Sequence, residues 1–373
     1  MRVAIISESF LPRVNGVTRT VMALTAHLRQ RGHEAILFAP GDGVEEHDGF
    51  EVVRVRGIGT GIYPDLTISP VAPGMHRRLR DFDPGIVHLA SPAALGWCGA
   101  RVARRLRVPV AAHYQTDLLA YARAYGGAAL ALLAGAAERR LHNRCTATYA
   151  PTPAMASELR RRGFERVLVS GRGVDTGLFR PGRPGALEAW RRWPAGTGPR
   201  VLCVCRLARE KGLDRVIRIA REHPNLRFLV VGTGPLTDEL RRAAPSTVRL
   251  AGLLEGDALA DTYAAADIFL HPASTETFGQ VIQEAMASGL PVVGVRAGGS
   301  AWLVEEGNTG FLADPQGDRL GEVLAAAVGC PDLGAMAAAA RRVVAGRSWA
   351  AVFDALLEDY SGFTHAGGDQ AAA

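Results

Sequence analysis

Lysine is almost absent from this chain. Of 43 basic residues all but Lys211 are arginine, and an ammonium kept in so arginine-rich a sequence marks a place that needs a compact, rotatable charge rather than a planar fork. Long apolar runs are absent as well. None reaches the roughly 18 residues that crossing a bilayer takes, and the longest weakly polar stretch, Gly126–Ala137, is short and rich in Ala and Gly. The opening M-R-V-A-I-I-S-E enters a strand pattern with no basic and apolar leader, so no secretory signal is expected and the expected location is cytoplasmic. Cysteines number five, at 98, 145, 203, 205 and 330. An odd, scattered set argues against a disulfide framework or a metal site, and Cys203 and Cys205, two apart on an expected strand, are expected to pack on one face of a core.

What is present suffices for two domains. A length of 373 residues is about twice the usual domain size, and 48% hydrophobic content supplies two cores. Strand-like runs at Val3–Ile6, Ala35–Ala39, Val52–Val55, Ile86–Leu89, Val108–Ala112, Thr146–Ala150 and Arg166–Ser170 alternate with helical patterns, the first a stripe of Val17, Val21, Leu24 and Leu28. That alternation predicts a parallel sheet covered on both faces. Pro and Gly crowd residues 181–199, where a linker is expected. A second series follows: Val201–Cys205, Phe228–Val231, Val248–Ala251, Ile268–Leu270 and Pro291–Gly294. The expected class is α/β, two Rossmann-like doubly wound parallel-sheet domains over 1–180 and 200–345 facing a cleft, then an amphipathic helix at 346–361 and a disordered tail at 362–373. Charge divides likewise. Residues up to 182 carry 24 Arg against 15 acids, a net +9, while the rest carry 19 basic residues against 22 acids, a net −3; a basic half fits an anionic surface as partner.

The chain is organised around Ser274 to Ser288, which sets Glu276 and Glu284 eight residues apart with Gly279 between them, where one strand has ended and a helical pattern begins. A helix starting near Gly279 turns its first N–H groups and its dipole toward a pocket, making a phosphate seat. Glu284 falls about 7 Å farther along the axis, the span from a phosphate to a ribose or sugar ring, and a carboxylate accepts two hydroxyls at once. Without context the same glutamates suit a solvated loop and a helix face. Arg206 at a strand end and Lys211 near the next helix place a guanidinium and an ammonium where a diphosphate would lie. The Gly-rich turn V-G-T-G-P at 231–235 and the loop Gly298-Gly299-Ser300 fall at the same kind of edge.

In the first half, Gly16 lies in a loop that leads into a helix, letting backbone approach a phosphate or sugar. H-Y-Q-T-D at 113–117 is a polar cluster at a strand's carboxyl edge, where Asp117 suits a helix cap or a ligand contact. Arginines at 77, 78 and 80, at 101, 104, 105 and 107, and at 139, 140 and 144 recur at helix spacing. They are either solvated faces or a dock for anionic lipid, at roughly 1 kcal/mol per basic residue.

E-T-F-G-Q-V-I-Q-E resembles the E-x7-E signature of the retaining, family-4 type glycosyltransferases of GT-B fold. C-R-L-A-R-E-K-G (205–212), G-V-D-T-G-L-F (173–179), E-S-F-L-P-R-V-N-G-V (8–17) and H-Y-Q-T-D extend the resemblance from residue 1 to about 360. Within that family the chain is similar to actinobacterial GDP-mannose-dependent α-mannosyltransferases acting on glycolipids. The resemblance implies the GT-B pair of domains, with the last helix crossing back to the first. It implies that Arg206 and Lys211 stabilise the departing diphosphate, that Glu276 and His113 orient the hexose, and that Glu284 holds the ribose. Gly16, Phe278, Gly279, Gln280 and Val281 would line the donor, with Arg249 and Leu250 near the base. The substrates implied are GDP-mannose and a lipid-linked or polyol hydroxyl, joined by same-face attack without cofactor, metal or nucleic acid, at the inner face of a membrane. Asp81-Phe82-Asp83 spells the D-x-D of metal-dependent sugar transferases, but ahead of Ile86–Leu89, at the amino end, so no metal role is expected of it. Two alternatives remain: a UDP-sugar donor with another acceptor, and a non-catalytic sugar-nucleotide or lipid-surface binding module. The intact set Arg206, Lys211, Glu276 and Glu284 argues against the second.

Overall fold

The computed structural model describes residues 1–59, 67–68, 72–90, 92–115, 132–276 and 278–371; Thr116, Asp117 and the first half of Gly126–Ala137 lie outside them. The chain forms two compact units, one built from Met1–Arg172 together with the chain from Trp349, the other from Gly173–Ser348.

The first unit's sheet runs in the order Val167–Val169, Ala147–Ala150, Val110–His113, Ile86–Ala90, Arg2–Ser7, Glu34–Pro40, Phe50–Val55, Glu46–His47. Every described pairing in it is parallel except the last. Val3 to Ile6 are buried on both faces, as a covered parallel sheet demands. Val3 and Ile5 join a core with Val21, Leu24 and Leu28 of the helix Gly16–Gln30, while Ala4 and Ile6 join Leu79, Leu95 and Ala103 on the other side. The strand Val110–His113 starts after Pro109, which cannot donate to the ladder, and it reaches His113, paired with Ala90 and Tyr149, so His113 is its last residue rather than the first beyond it.

Trp349–Ala371 is one helix of 23 residues. Its Phe353, Leu356, Leu357 and Tyr360 bury into the first unit's core at helical spacing. The expected disordered tail is mostly helical backbone: hydrogen bonding continues to Ala371, because extending a helix already nucleated on a packed segment costs little.

The second unit's sheet is parallel throughout, in the order Val248–Gly252, Arg227–Val231, Arg200–Val204, Ile268–His271, Val292–Val295, Gly310–Ala313. The edge strand Gly310–Ala313 has no counterpart in the sequence reading; it is four residues long, and Gly310 sits where a Cβ would lie 2.0 Å from Val292 O. Cys203 is buried in one core and Cys205 packs against the same core, both as free thiols.

Residues 181–199 are not a free linker, and the unit boundary falls earlier, after Arg172. Phe179, Ala189 and Trp193 bury into the second unit's core with Leu202 and Tyr263. Arg183 bonds Asp261 at 2.5 Å and Asp257 at 2.6 Å. A few large apolar anchors and one doubly ion-paired, half-buried arginine thus tie down a stretch whose Pro and Gly content alone reads as loose. At the unit's limits Val174 N–H donates to Arg347 O at 2.9 Å, so the chain enters and leaves it side by side.

Candidate functional site

In the second unit, successive strands run outward from Arg200–Val204 to one side, and the chain then returns to its other side with Ile268–His271. Between these two strands lies the switch point where open α/β sheets gather ligands. Lys211 is carried by the loop after the first and Glu276 by the loop after the second, and their side chains meet there: Lys211 Nζ donates to Glu276 Oε2 at 2.7 Å. Burial pulls the Lys211 ammonium's pKa down, but the Glu276 carboxylate outweighs it and holds the group above the usual lysine value. Each side chain is about one-fifth exposed, so a ligand can reach the pair.

The Glu276 loop is clamped by backbone. Gly299 N–H donates to Glu276 O at 2.8 Å. A Cβ on Gly298 would lie 2.0 Å from Glu276 O and one on Gly299 2.0 Å from Phe278 O, so this glycine pair is what lets the two loops touch. Gly279 has φ of 90° and caps the helix Gln280–Ala287, a left-handed turn that glycine adopts without cost. Ile282 and Gln283 N–H groups bond back to Gly279 O, which leaves the amides before them as the outward-facing donors of the helix start. Phe278 is buried, and Gln280 Nε2 donates to Gly173 O at 2.9 Å.

One turn on, Glu284 is buried and accepts from Tyr263 Oη at 3.1 Å; the same hydroxyl lies 3.2 Å from Val281 O. Tyr263 was not foreseen. It sits in an unremarked helix, Gly256–Ala264, and only the fold brings it under Glu284. His271, at the end of the strand before Glu276, is buried with its pKa lowered to about 4, mainly by burial. Arg206 follows the strand end beside Lys211's loop. Gly232 fits only as glycine, since a Cβ would lie 1.9 Å from Cys205 O. Arg249 is exposed and donates to Arg191 O at 3.0 Å; Leu250, its neighbour on the strand, packs against the core.

The first unit gathers a different set at its carboxyl edge. His113 stacks on His88 with centroids 4.2 Å apart and on Tyr149 at 4.8 Å. Tyr360 Oη lies 2.7 Å from His88 Nδ1 and 2.9 Å from His113 Nε2. Burial lowers the pKa of His88 to about 3 and that of His113 well below the usual value. His113, Gln115, Ser170, Arg172 and Trp349 line a small pocket there. Gly16 is the first residue of its helix, whose N-cap Asn15 accepts from Val17 N and Thr18 N at 3.0 Å each. Arg172 Nη1 comes within 3.5 Å of where a Gly16 Cβ would stand.

The remaining expectations fall on the surface. Asp81 pairs with Arg80, and Asp83 lies 3.5 Å from Arg2, both ahead of Ile86–Ala90. The arginines at 77, 78, 80, 101, 104, 105, 107, 139, 140 and 144 are all exposed. No single described helix is long and apolar enough to cross a membrane.

Residues 14–178 match Glycosyltransferase Family 4, and residues 198–330 match Glycosyl transferases group 1. The chain is 42% identical over 372 residues to a GDP-mannose-dependent alpha-mannosyltransferase of Mycobacterium tuberculosis, covering 96% of each. It is 29% identical over 387 residues to a GDP-mannose-dependent alpha-(1-6)-phosphatidylinositol monomannoside mannosyltransferase of Mycolicibacterium smegmatis, covering 93% of each. Among solved structures, sucrose-phosphate synthase from Thermosynechococcus elongatus superposes with a TM-score of 0.80 over 98% of this chain and 99% of that one, at 20% identity.

Proposed function

This chain belongs to glycosyltransferase family 4, and from that premise we propose that it moves mannose from GDP-mannose to a hydroxyl of a lipid-linked or polyol acceptor, forming an α-glycosidic bond with retention. The donor follows the activity for which these relatives are named. The observation that carries the chemistry is the Lys211–Glu276 pair at the second sheet's switch point, 2.7 Å apart and open to a ligand.

The bond that breaks joins the anomeric carbon to a phosphate oxygen, so negative charge grows on the diphosphate. Lys211 and Arg206 supply preorganised positive charge there, with the helix start after Gly279. As the diphosphate takes Lys211's ammonium, Glu276 is released to accept hydroxyls of the hexose. Glu284, oriented by Tyr263, accepts the ribose hydroxyls, and His113 takes an outer hexose hydroxyl. The acceptor oxygen attacks on the face the phosphate leaves, its proton passes to the leaving phosphate oxygen, and GDP departs. No step in this route requires a metal or cofactor.

For the acceptor, the first unit's exposed arginines suit an anionic lipid surface at the cytoplasmic side of a membrane. Leu132 and Leu133, 69% and 70% exposed on the helical segment that also carries Arg139 and Arg140, suit its apolar boundary.

The test is release of GDP from GDP-mannose without acceptor, against UDP from UDP-glucose, with and without EDTA. GDP release is expected to be faster by about tenfold or more, a preference of roughly 1.4 kcal/mol, and unchanged by the chelator. A preference for the UDP-sugar overturns the donor, a β-linked product on a lipid acceptor overturns retention, and rescue of chelated enzyme by Mg²⁺ or Mn²⁺ overturns the metal-free route.

A further inference from the structure

Tyr360 stands 247 residues from His113 in sequence, yet its hydroxyl is the group that meets His113 Nε2. The same oxygen meets His88 Nδ1 at 2.7 Å. One phenol has one proton, so between two neutral imidazoles it donates to one and accepts from the other. Both rings are neutral: they are buried and stacked 4.2 Å apart, where two positive charges would repel. Two directions are therefore open. If Tyr360 donates to His88, His88 carries its proton on Nε2, which is buried and has no protein partner among the described residues. An orphaned buried N–H is the rarer and costlier defect. If Tyr360 donates to His113 instead, His88 uses its proton on Nδ1 and leaves only a bare lone pair.

We propose that Tyr360 is a positioning residue that fixes His113 as its Nδ1–H tautomer, so that the ring presents a hydrogen-bond donor to an oxygen of the donor sugar. This rests on the reading of His113 given above and deepens it. The recognised group is a hydroxyl oxygen acting as acceptor. Orientation comes from the stack of His88, His113 and Tyr149 on one side and the Tyr360 hydroxyl on the other. Tyr149 is itself held, since its hydroxyl donates to Asp359 Oδ2 at 3.0 Å, one residue before Tyr360 on the same helix.

Two measurements test it. Donor turnover is compared in the parent, Tyr360→Phe, His113→Ala and the double variant, with melting temperatures alongside. Tyr360→Phe is expected to lower kcat by at least about tenfold, the loss typical when a histidine's orienting partner is removed, and to add less than about twofold in the His113→Ala background. Equal losses in both backgrounds overturn the proposal, because Tyr360 then acts on the fold. A loss with His113→Ala and none with Tyr360→Phe overturns Tyr360 alone; no loss with His113→Ala overturns the reading beneath it. Independently of activity, nitrogen–proton correlation spectra of the histidine rings are expected to show His113 protonated on Nδ1 in the parent and losing that preference in Tyr360→Phe. A parent ring protonated on Nε2 overturns the proposal whatever the donor proves to be.

Discussion

The two units solve the same problem of holding polar groups at a sheet edge in opposite ways. In the second, the groups are charged: an ammonium against a carboxylate, both partly open, with a second, buried carboxylate bonded by a tyrosine. In the first, the buried groups are uncharged rings stacked on one another, with one half-buried guanidinium, Arg172, in the pocket lining and the arginine clusters exposed. The difference matches what each unit is proposed to do. A departing diphosphate needs fixed charge that grows stronger in its effect as the bond breaks. A sugar hydroxyl needs only direction, which neutral donors give without the cost of burying an ion.

The sharpest way to break the comparison is to remove the second unit's charge. Lys211→Ala is expected to lose at least about a hundredfold in kcat, the usual loss for an electrostatic stabiliser, with Lys211→Arg recovering only part because a fork does not replace a point charge. A normal kcat with raised KM would show that Lys211 merely holds the donor.

Acid separates the units next. His88 and His142 of the first unit have pKa values pushed down to about 3, chiefly by burial, and His113 is lowered as well, whereas the second unit holds His271 at about 4. Unfolded histidine titrates near 6.5. Below that pH the unfolded chain binds more protons than the folded one, so stability is full above 6.5 and drains as the pH falls toward the folded values. Between pH 7 and 5 His88, His142 and His271 each withdraw about 2 kcal/mol, and the first unit, with two of the three, is expected to lose its hydrogen-exchange protection before the second. Simultaneous loss would contradict the contrast.

The smallest effect concerns the outer charge. Binding to anionic vesicles is expected to weaken with salt and by about tenfold or more in Arg139→Glu plus Arg140→Glu, on the scale of 1 kcal/mol per basic residue. Salt-independent binding, or none, reduces these arginines to a solvated face.

The contrast also explains which parts of the site could be read in advance. Glu276, Gly279 and Glu284 belong to one short segment whose helix start is announced by glycine, and Lys211 stands out by composition. Most of the long strands were legible because buried parallel strands read as unbroken apolar runs. His113 was legible within H-Y-Q-T-D at a strand end, but residues 88, 149 and 360 share no local pattern with it. Tyr360 reads as one more apolar position on an amphipathic helix, and only tertiary structure turns its hydroxyl toward two histidines. Tyr263 escaped for the same reason. The boundary was misplaced because Pro and Gly mark irregular backbone, not independence; Phe179 and Trp193 decide which core that backbone joins.

Because the second unit enters and leaves at Val174 and Arg347, the first is written in two instalments. Its sheet is synthesised early, but Phe353, Leu356, Leu357 and Tyr360, which cover one face, come only after residues 173–348. At 5–20 residues per second that is a wait of roughly 9 to 35 seconds. During that interval the nascent first unit carries an uncovered apolar face and an unset His113, while the second unit, continuous in sequence, has every strand it needs and is the first of the two able to finish folding.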